Sequence, residues 1–396
     1  MVKVLKQNTT FKFALLYFIH YITASLIMSQ RMTFLIRTSY TIQERSIIFA
    51  AIPLVSIGLQ FFVGYLSDKY RTIKKIYIFA IVLSAITAFL FYSIQIQLFV
   101  FHFAITLLSN SAIAIINDLS DVWVLESKGS VKNNYSFIRA FGSAGWALGS
   151  FLVAQIILMF GYRGLARVSL LTSILVLAVV MFVRDDKKDV AVGEFIHSIK
   201  ITDIKEIFQN QSYLLAISIM FFLNFAASMA GYIIIDKIIG LGGNEWHVGM
   251  RIVIAASAEI PLLLVGGRIH KKLGSIKMLL IGAIIYSLQF LGYFLATSNN
   301  VIFFVSALQG LSLPLFVVAI KYILLELSPD HLKTTGQMSG PAIINGIQGV
   351  LHPLVAAYLV GAFNINAPLL FAFVLAVIAI LLNIPLVKKY NQIVVN

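Results

Sequence analysis

Gly64-Tyr65-Leu66-Ser67-Asp68-Lys69-Tyr70-Arg71-Thr72-Ile73-Lys74-Lys75 is a glycine-led basic turn set between two long apolar runs. A second such turn, Gly267-Arg268-Ile269-His270-Lys271-Lys272-Leu273-Gly274-Ser275-Ile276-Lys277, occupies the corresponding place in the second half of the chain. The first copy has the full glycine–aspartate–basic order; the second has no aspartate. Two halves, each with a basic hairpin between its second and third hydrophobic segments, describe a duplicated chain. Composition says what surrounds it. Of 396 residues, 60% are hydrophobic and 12% charged, with a mean hydropathy of +0.93. A soluble surface of this size cannot be made from so few polar groups, so the chain is read as an integral membrane protein.

A spanning helix needs about 20 apolar residues. Runs of that kind lie near 13–35, 46–66, 76–94, 98–121, 137–160, 165–183, 212–236, 247–266, 277–296, 301–326, 337–362 and 366–387, which makes twelve. An even number places both termini on one side. With the N-terminus inside, the inner segments hold 21 of the 30 Lys and Arg residues and the outer ones five, so both termini are assigned to the cytoplasm. The net charge of +14 therefore belongs to short membrane loops, not to a nucleic-acid surface. Cysteine is absent, which excludes disulfides and thiolate metal sites. The start, Met1 to Gln7, lacks the layout of a cleavable signal, and the first run reads as a retained helix. The expected organisation is a six-helix bundle over 1–184, a cytoplasmic linker with an amphipathic segment over 185–211, and a second six-helix bundle over 212–396. Repeated halves of this kind place a binding site near the bilayer midplane.

Charges at bilayer depth cost about 2.5–3.5 kcal/mol each on insertion scales and usually face a partner or a wet cavity. The fourth run contains Asn117, Asp118 and Asp121, and positions 117 and 121 share a helix face. In the fifth run Arg139 precedes Gly142, Gly145, Trp146 and Gly149, whose small residues let another helix approach closely. Arginine offers a planar fork of donors to hydroxyls or carboxylates, and tryptophan a flat face for a ring. The blander readings are a structural Asp121–Arg139 ion pair and a Trp146 that only packs. In the eighth run Glu259 stands alone before Pro261. A mid-membrane carboxyl with no cation nearby in sequence can take up and release a proton as its surroundings change from dry to wet. It can equally be a protonated structural acid. Gln309, Asn345, Gln348 and His352 are hydrogen-bonding candidates from the second half, and His20 reads as a packed, hydrogen-bonded residue. Arg31 and Lys321 read as snorkelling, and Asp236 with Lys237 as a pair at a helix end. No phosphate loop, nucleophile elbow or His-Glu-x-x-His pattern is present, so the chain is not read as an enzyme, and any transport it performs must draw on a gradient.

The paired hairpins resemble the loop signature of the major facilitator superfamily. Ile47–Ile52, Gln60, Gly64 and Leu66-Ser67-Asp68-Lys69 resemble the second helix and following loop of the lactose permease group. Arg139-Ala140-Phe141-Gly142-Ser143-Ala144-Gly145-Trp146 resembles that group's fifth helix, which implies a sugar-binding Arg139 and a stacking Trp146, with Asp121 where the group has glutamate. Glu259 and the stretch from Leu308 to Gln337 are similar to the related phenylpropionate and nucleoside permease-like proteins. The group's tenth-helix His and Glu are replaced here by Gln309 and Ser312, and its eleventh-helix Lys has no match. The resemblance implies an all-α fold of two pseudo-symmetric six-helix bundles and proton-coupled symport of a small hydrophilic solute, sugar- or nucleoside-like. Together with the reading of the intramembrane polar residues, the expected solute contacts are Asp121, Arg139, Trp146, Asn117, Gln309 and Asn345, and the expected proton sites Glu259, Asp121 or Asp118. The conformational loops would be Gly64, Asp68, Arg71 and Lys75, with Gly267, Arg268 and Gly274 in the second copy. The expected setting is a monomer in a bacterial plasma membrane, without cofactor, metal or nucleic acid. The rival expectations are a proton-driven exporter of drugs or lipid-linked compounds, and a non-transporting receptor.

Overall fold

The computed structural model describes residues 9–70, 72–127, 131, 134–183, 206–329 and 332–394. Every extended element among them is an α-helix. We number these α1 (Thr9–Met28), α2 (Arg31–Arg37), α3 (Ile42–Tyr70), α4 (Lys74–Ser93), α5 (Phe99–Glu126), α6 (Tyr135–Met181), α7 (Gln211–Gly240), α8 (Glu245–Leu273), α9 (Ser275–Leu295), α10 (Asn299–Leu327), α11 (Lys333–Ala362) and α12 (Ala367–Val394). The linker expected over 185–211 falls largely on 184–205, outside the described residues, as do Arg71, Lys128 and Lys132 of the basic loops.

Long apolar runs become helices because a backbone in hydrocarbon must satisfy its own polar groups. Ten spans among the described residues are long and apolar enough to cross a bilayer. One of them, Phe137–Met181, has 45 residues, about twice what a crossing needs. It breaks at Gly161, whose φ of 64° is open to glycine but strained for other residues, so α6 is two crossings. α1 and α2 form a single crossing interrupted at residues 29–30. α8, with 29 residues, has the length of a crossing and carries Arg251 and Glu259 within it. Counted so, the described residues contain twelve crossings. The ends are capped locally. Asn210 accepts from the amides of Ser212 and Tyr213 at the start of α7, and Asn244 forms a capping box with His247 at the start of α8. Gly274, at φ 76°, makes the turn between α8 and α9.

Residues cluster into two compact units, Met1–Ala191 and Val192–Asn396. Their internal pairings repeat. α3 and α4 both pack on α5 in the first unit, as α8 and α9 pack on α10 in the second. α4 lies against α6 as α9 lies against α12, and α1 lies on α6 as α7 lies on α11 and α12. The duplication read from two loops is thus carried by whole-helix packing. The outward faces are apolar: Phe79, Met159, Phe304 and Tyr358 are among the most exposed side chains, a surface suited to lipid.

Three cations depart from the sequence reading. Arg31 does not snorkel but is buried at 2% exposure. Its Nε donates to the Ile27 carbonyl at 3.0 Å and a terminal amine donates to Ser109 Oγ. Lys237 is buried and donates to the carbonyls of Tyr293 and Phe294, at 2.6 and 2.9 Å, so it caps the C-terminal end of α9. Arg251, one of the five cations counted to the outer segments, lies buried inside α8. Each sits near a helix end in sequence, where solvation and burial look alike.

Candidate functional site

The first unit gathers polar side chains from four helices. On α1, Tyr17, His20 and Tyr21 lie one turn apart and share a face; on α5, Asn117 and Asp121 do the same. The two faces meet. The Tyr17 hydroxyl donates to Asp121 Oδ1 at 2.7 Å. His20 Nε2 lies 2.9 Å from Asn117 Oδ1, so that ring N–H donates. His20 is buried, as its sequence context indicated. The Tyr17 and Tyr21 rings stack with centroids 6.0 Å apart. From α6, the Arg139 guanidinium carbon lies 4.8 Å from the centroid of the Tyr21 ring, a cation–π contact. Tyr135, one turn earlier on α6, lies close to both Asp121 and Arg139. Among the described residues no ion pair within 4.0 Å joins Asp121 to Arg139. The two charges are neighbours whose connection runs through tyrosine. On the flank, Asp118 is exposed and accepts from the Gln60 amide of α3 at 2.7 Å.

The glycines of α6 position this cluster. A Cβ on Gly145 would overlap the Phe18 carbonyl oxygen, and one on Gly149 would lie 2.8 Å from the Ile22 carbonyl oxygen. Ser150 and Ser25 share a hydrogen bond at 2.9 Å across the same contact. α6 can therefore lie flat on α1 only because 145 and 149 have no side chain. A Cβ on Gly142 would sit 2.9 Å from the Tyr21 ring and 3.1 Å from an Arg139 amine, so that position leaves room for the stack. Trp146 is half-buried and packs against two core clusters, that of Ala24, Ile27, Ala88 and Ile113 and that which includes Tyr17, Tyr21 and Ile116.

The second unit carries its own polar set. Arg251 on α8 donates to Gln309 Oε1 at 3.3 Å and to the Tyr293 hydroxyl at 3.4 Å, and Tyr293 in turn bonds Ser306 at 2.9 Å. Two turns along α8, Glu259 is half-buried. A Cβ on Gly310 would lie 2.6 Å from the Glu259 backbone nitrogen, so α8 and α10 cross closely there. Among the described residues the Glu259 carboxyl has no hydrogen-bond or ion-pair partner. Asn345 is exposed on α11 and accepts from Gln348 at 2.9 Å; His352 bonds the Gln348 carbonyl at 2.8 Å. Lys321 is exposed.

In the hairpins, the side chains of Gly64, Asp68 and Gly267 lie outside the described set, as does all of Arg71. Lys75 and Arg268 are exposed. Lys74 donates to the carbonyls of Met181 and Val183, at 3.3 and 2.8 Å, tying the first hairpin to the end of α6. In the second, His270 bonds Ser275 at 2.8 Å and stacks on Tyr322 with centroids 3.8 Å apart.

Tyr17, Tyr21, Tyr135 and Arg251 were not singled out in the sequence. A tyrosine in an apolar run resembles packing. The signal that would have found the first two is the matched spacing of Tyr17, His20 and Tyr21 against Asn117 and Asp121.

The family profile described as MFS_1 like family matches residues 10–351. A maltose permease of Geobacillus stearothermophilus is 23% identical over 347 residues, covering 85% of this chain and 84% of that protein. An uncharacterized transporter of Bacillus subtilis (strain 168), YwbF, is 24% identical over 350 residues, covering 85% and 82%. Among solved structures, that of the nucleoside transporter NupG superposes with a TM-score of 0.78 at 14% identity, over 97% of this chain and 99% of that one. A bacterial homolog of the human lysosomal transporter Spinster superposes with a TM-score of 0.74 at 10% identity, over 98% of both chains.

Proposed function

The chain belongs to the MFS_1 like family, a multi-pass membrane transporter by its fold and its relatives, and we propose that it works as a proton-coupled symporter of a sugar- or nucleoside-like solute. The observation that carries this reading is the cluster of Tyr17, Tyr21, Asp121, Tyr135 and Arg139. Because Asp121 and Arg139 are not locked in a direct ion pair, each keeps hydrogen-bonding capacity for solute hydroxyls. A carboxylate offers about four lone-pair positions and a guanidinium five donors in a planar fork. Trp146, which keeps part of its surface exposed, is assigned to stack on a ring of the solute. Asn117, Gln309 and Asn345 are assigned to further solute hydroxyls. The names of the relatives, a maltose permease and a nucleoside transporter, point to the same substrate class.

Glu259 is assigned the proton, because its half-buried carboxyl has no partner among the described residues that fixes its charge; Asp121 and Asp118 are the alternates. The hairpins at Gly64, Asp68, Arg71 and Lys75 and at Gly267, Arg268 and Gly274 are assigned to the conformational cycle. We place the protein as a monomer in the plasma membrane with both termini in the cytoplasm.

Melting of the detergent-purified protein with maltose and other sugars, nucleosides, aromatic acids and amphipathic drugs tests the substrate class. Stabilisation by a sugar or nucleoside that disappears in Arg139→Lys is the expected result. Stabilisation by amphipathic drugs alone would replace uptake with export.

A further inference from the structure

α3 and α4 both pack on α5 and leave between them a cavity of about 870 Å³. Its wall is apolar, with Phe62, Phe79, Leu108 and Ala112 among the lining residues. It is not uniform along its length. One end holds Tyr70, Thr72 and Lys75, and Lys75 is the one charged residue among the described lining. Lys75 is exposed in the first turn of α4, and its ammonium has no partner among the described residues. Lys69 lies beside this end, 5.6 Å from the Tyr70 ring centroid.

The length of the slot is informative. From Leu59 to Tyr70 on α3 is a rise of about 16 Å at 1.5 Å per residue. Half of a bilayer's hydrocarbon core is about 15 Å. An apolar channel one leaflet long, with a tyrosine and a free lysine at its interfacial end, matches one acyl chain and its headgroup. Away from that end the wall carries no polar side chain that could hold a hydrophilic solute. We propose that this slot is a binding site for a single anionic phospholipid, with a chain between α3 and α4 and the phosphate on Lys75 and the Thr72 hydroxyl. The proposal rests on the membrane assignment alone and is independent of what the protein transports.

Native mass spectrometry of the delipidated full chain tests it, with phosphatidylglycerol and phosphatidylcholine of identical acyl chains as probes. One phosphatidylglycerol should be retained about fivefold more tightly than phosphatidylcholine, the effect of one lysine at an anionic lipid surface. Lys75→Gln, an exposed change that leaves the helix contacts intact, should erase the preference. Ala112→Trp fills the slot and should remove both lipids, and glycerol 3-phosphate should compete with neither. Equal retention of the two lipids by the unaltered protein, or a preference surviving Lys75→Gln, would overturn the proposal. Displacement by glycerol 3-phosphate alone would also overturn it, since the ligand would then be a free phosphate.

Discussion

Replacing Arg139 with lysine separates the charge at this position from its shape. In the structure the guanidinium carbon lies 4.8 Å from the centroid of the Tyr21 ring, and Tyr135 is close by. Lysine keeps the charge but cannot cover the ring with a plane or offer two parallel N–H groups. Without solute the loss is small, about 0.5–1 kcal/mol for a cation–π contact that is not fully desolvated. With solute present, one charge-assisted hydrogen bond goes as well, worth about 1.5–3 kcal/mol. That converts to a fall in affinity of about 10- to 150-fold. Equilibrium binding of the solute found by melting, measured by calorimetry on the purified protein, reads the fall in affinity, and the melting temperature without solute reads the smaller loss. Tyr135→Phe should cost about 1 kcal/mol of binding, and the double variant should cost less than the sum, because the two groups share one network. Binding by Arg139→Lys within about threefold of the unaltered protein would refute the assignment and leave the cluster a structural feature of α1, α5 and α6.

Gly149→Leu should destabilise the first unit by at least the about 1–3 kcal/mol of ordinary overpacking, since even a Cβ there would meet the Ile22 carbonyl oxygen at 2.8 Å; a melting temperature equal to that of the unaltered protein would show that α6 can back away from α1. Lys237→Met should lose about 1.5–3 kcal/mol by uncapping α9, read as a lower melting temperature with solute affinity unchanged. Glu259→Gln should still exchange internal for external solute in proteoliposomes while failing to accumulate it against a gradient. Uphill accumulation in that variant would move the proton to Asp121 or Asp118.

The fold was legible because the bilayer imposes it: twenty apolar residues between basic loops leave few alternatives to a helix. The break at Gly161 was located as a loop from the same run lengths, and the close contact at Gly142, Gly145 and Gly149 was visible as small residues at helical spacing. The identity of the partner helix, α1, was not, since a small-residue stripe says only that something comes near. Charge was the least legible property. Arg31, Arg251 and Lys237 all sit close to helix ends, where a long side chain can reach water or turn inward, and the choice depends on the neighbouring carbonyls and hydroxyls. At the candidate site, Asp121 and Arg139 stood out as charges in apolar runs. The tyrosines that join them did not, because a tyrosine shows its hydroxyl only once the opposing helix is known.

Uptake of radiolabelled maltose or nucleoside into proteoliposomes under an imposed inward proton gradient tests the central claim most directly. The expected result is accumulation above the external concentration that collapses when a protonophore is added. Solute that merely equilibrates, with a rate and extent indifferent to the proton gradient, would contradict it.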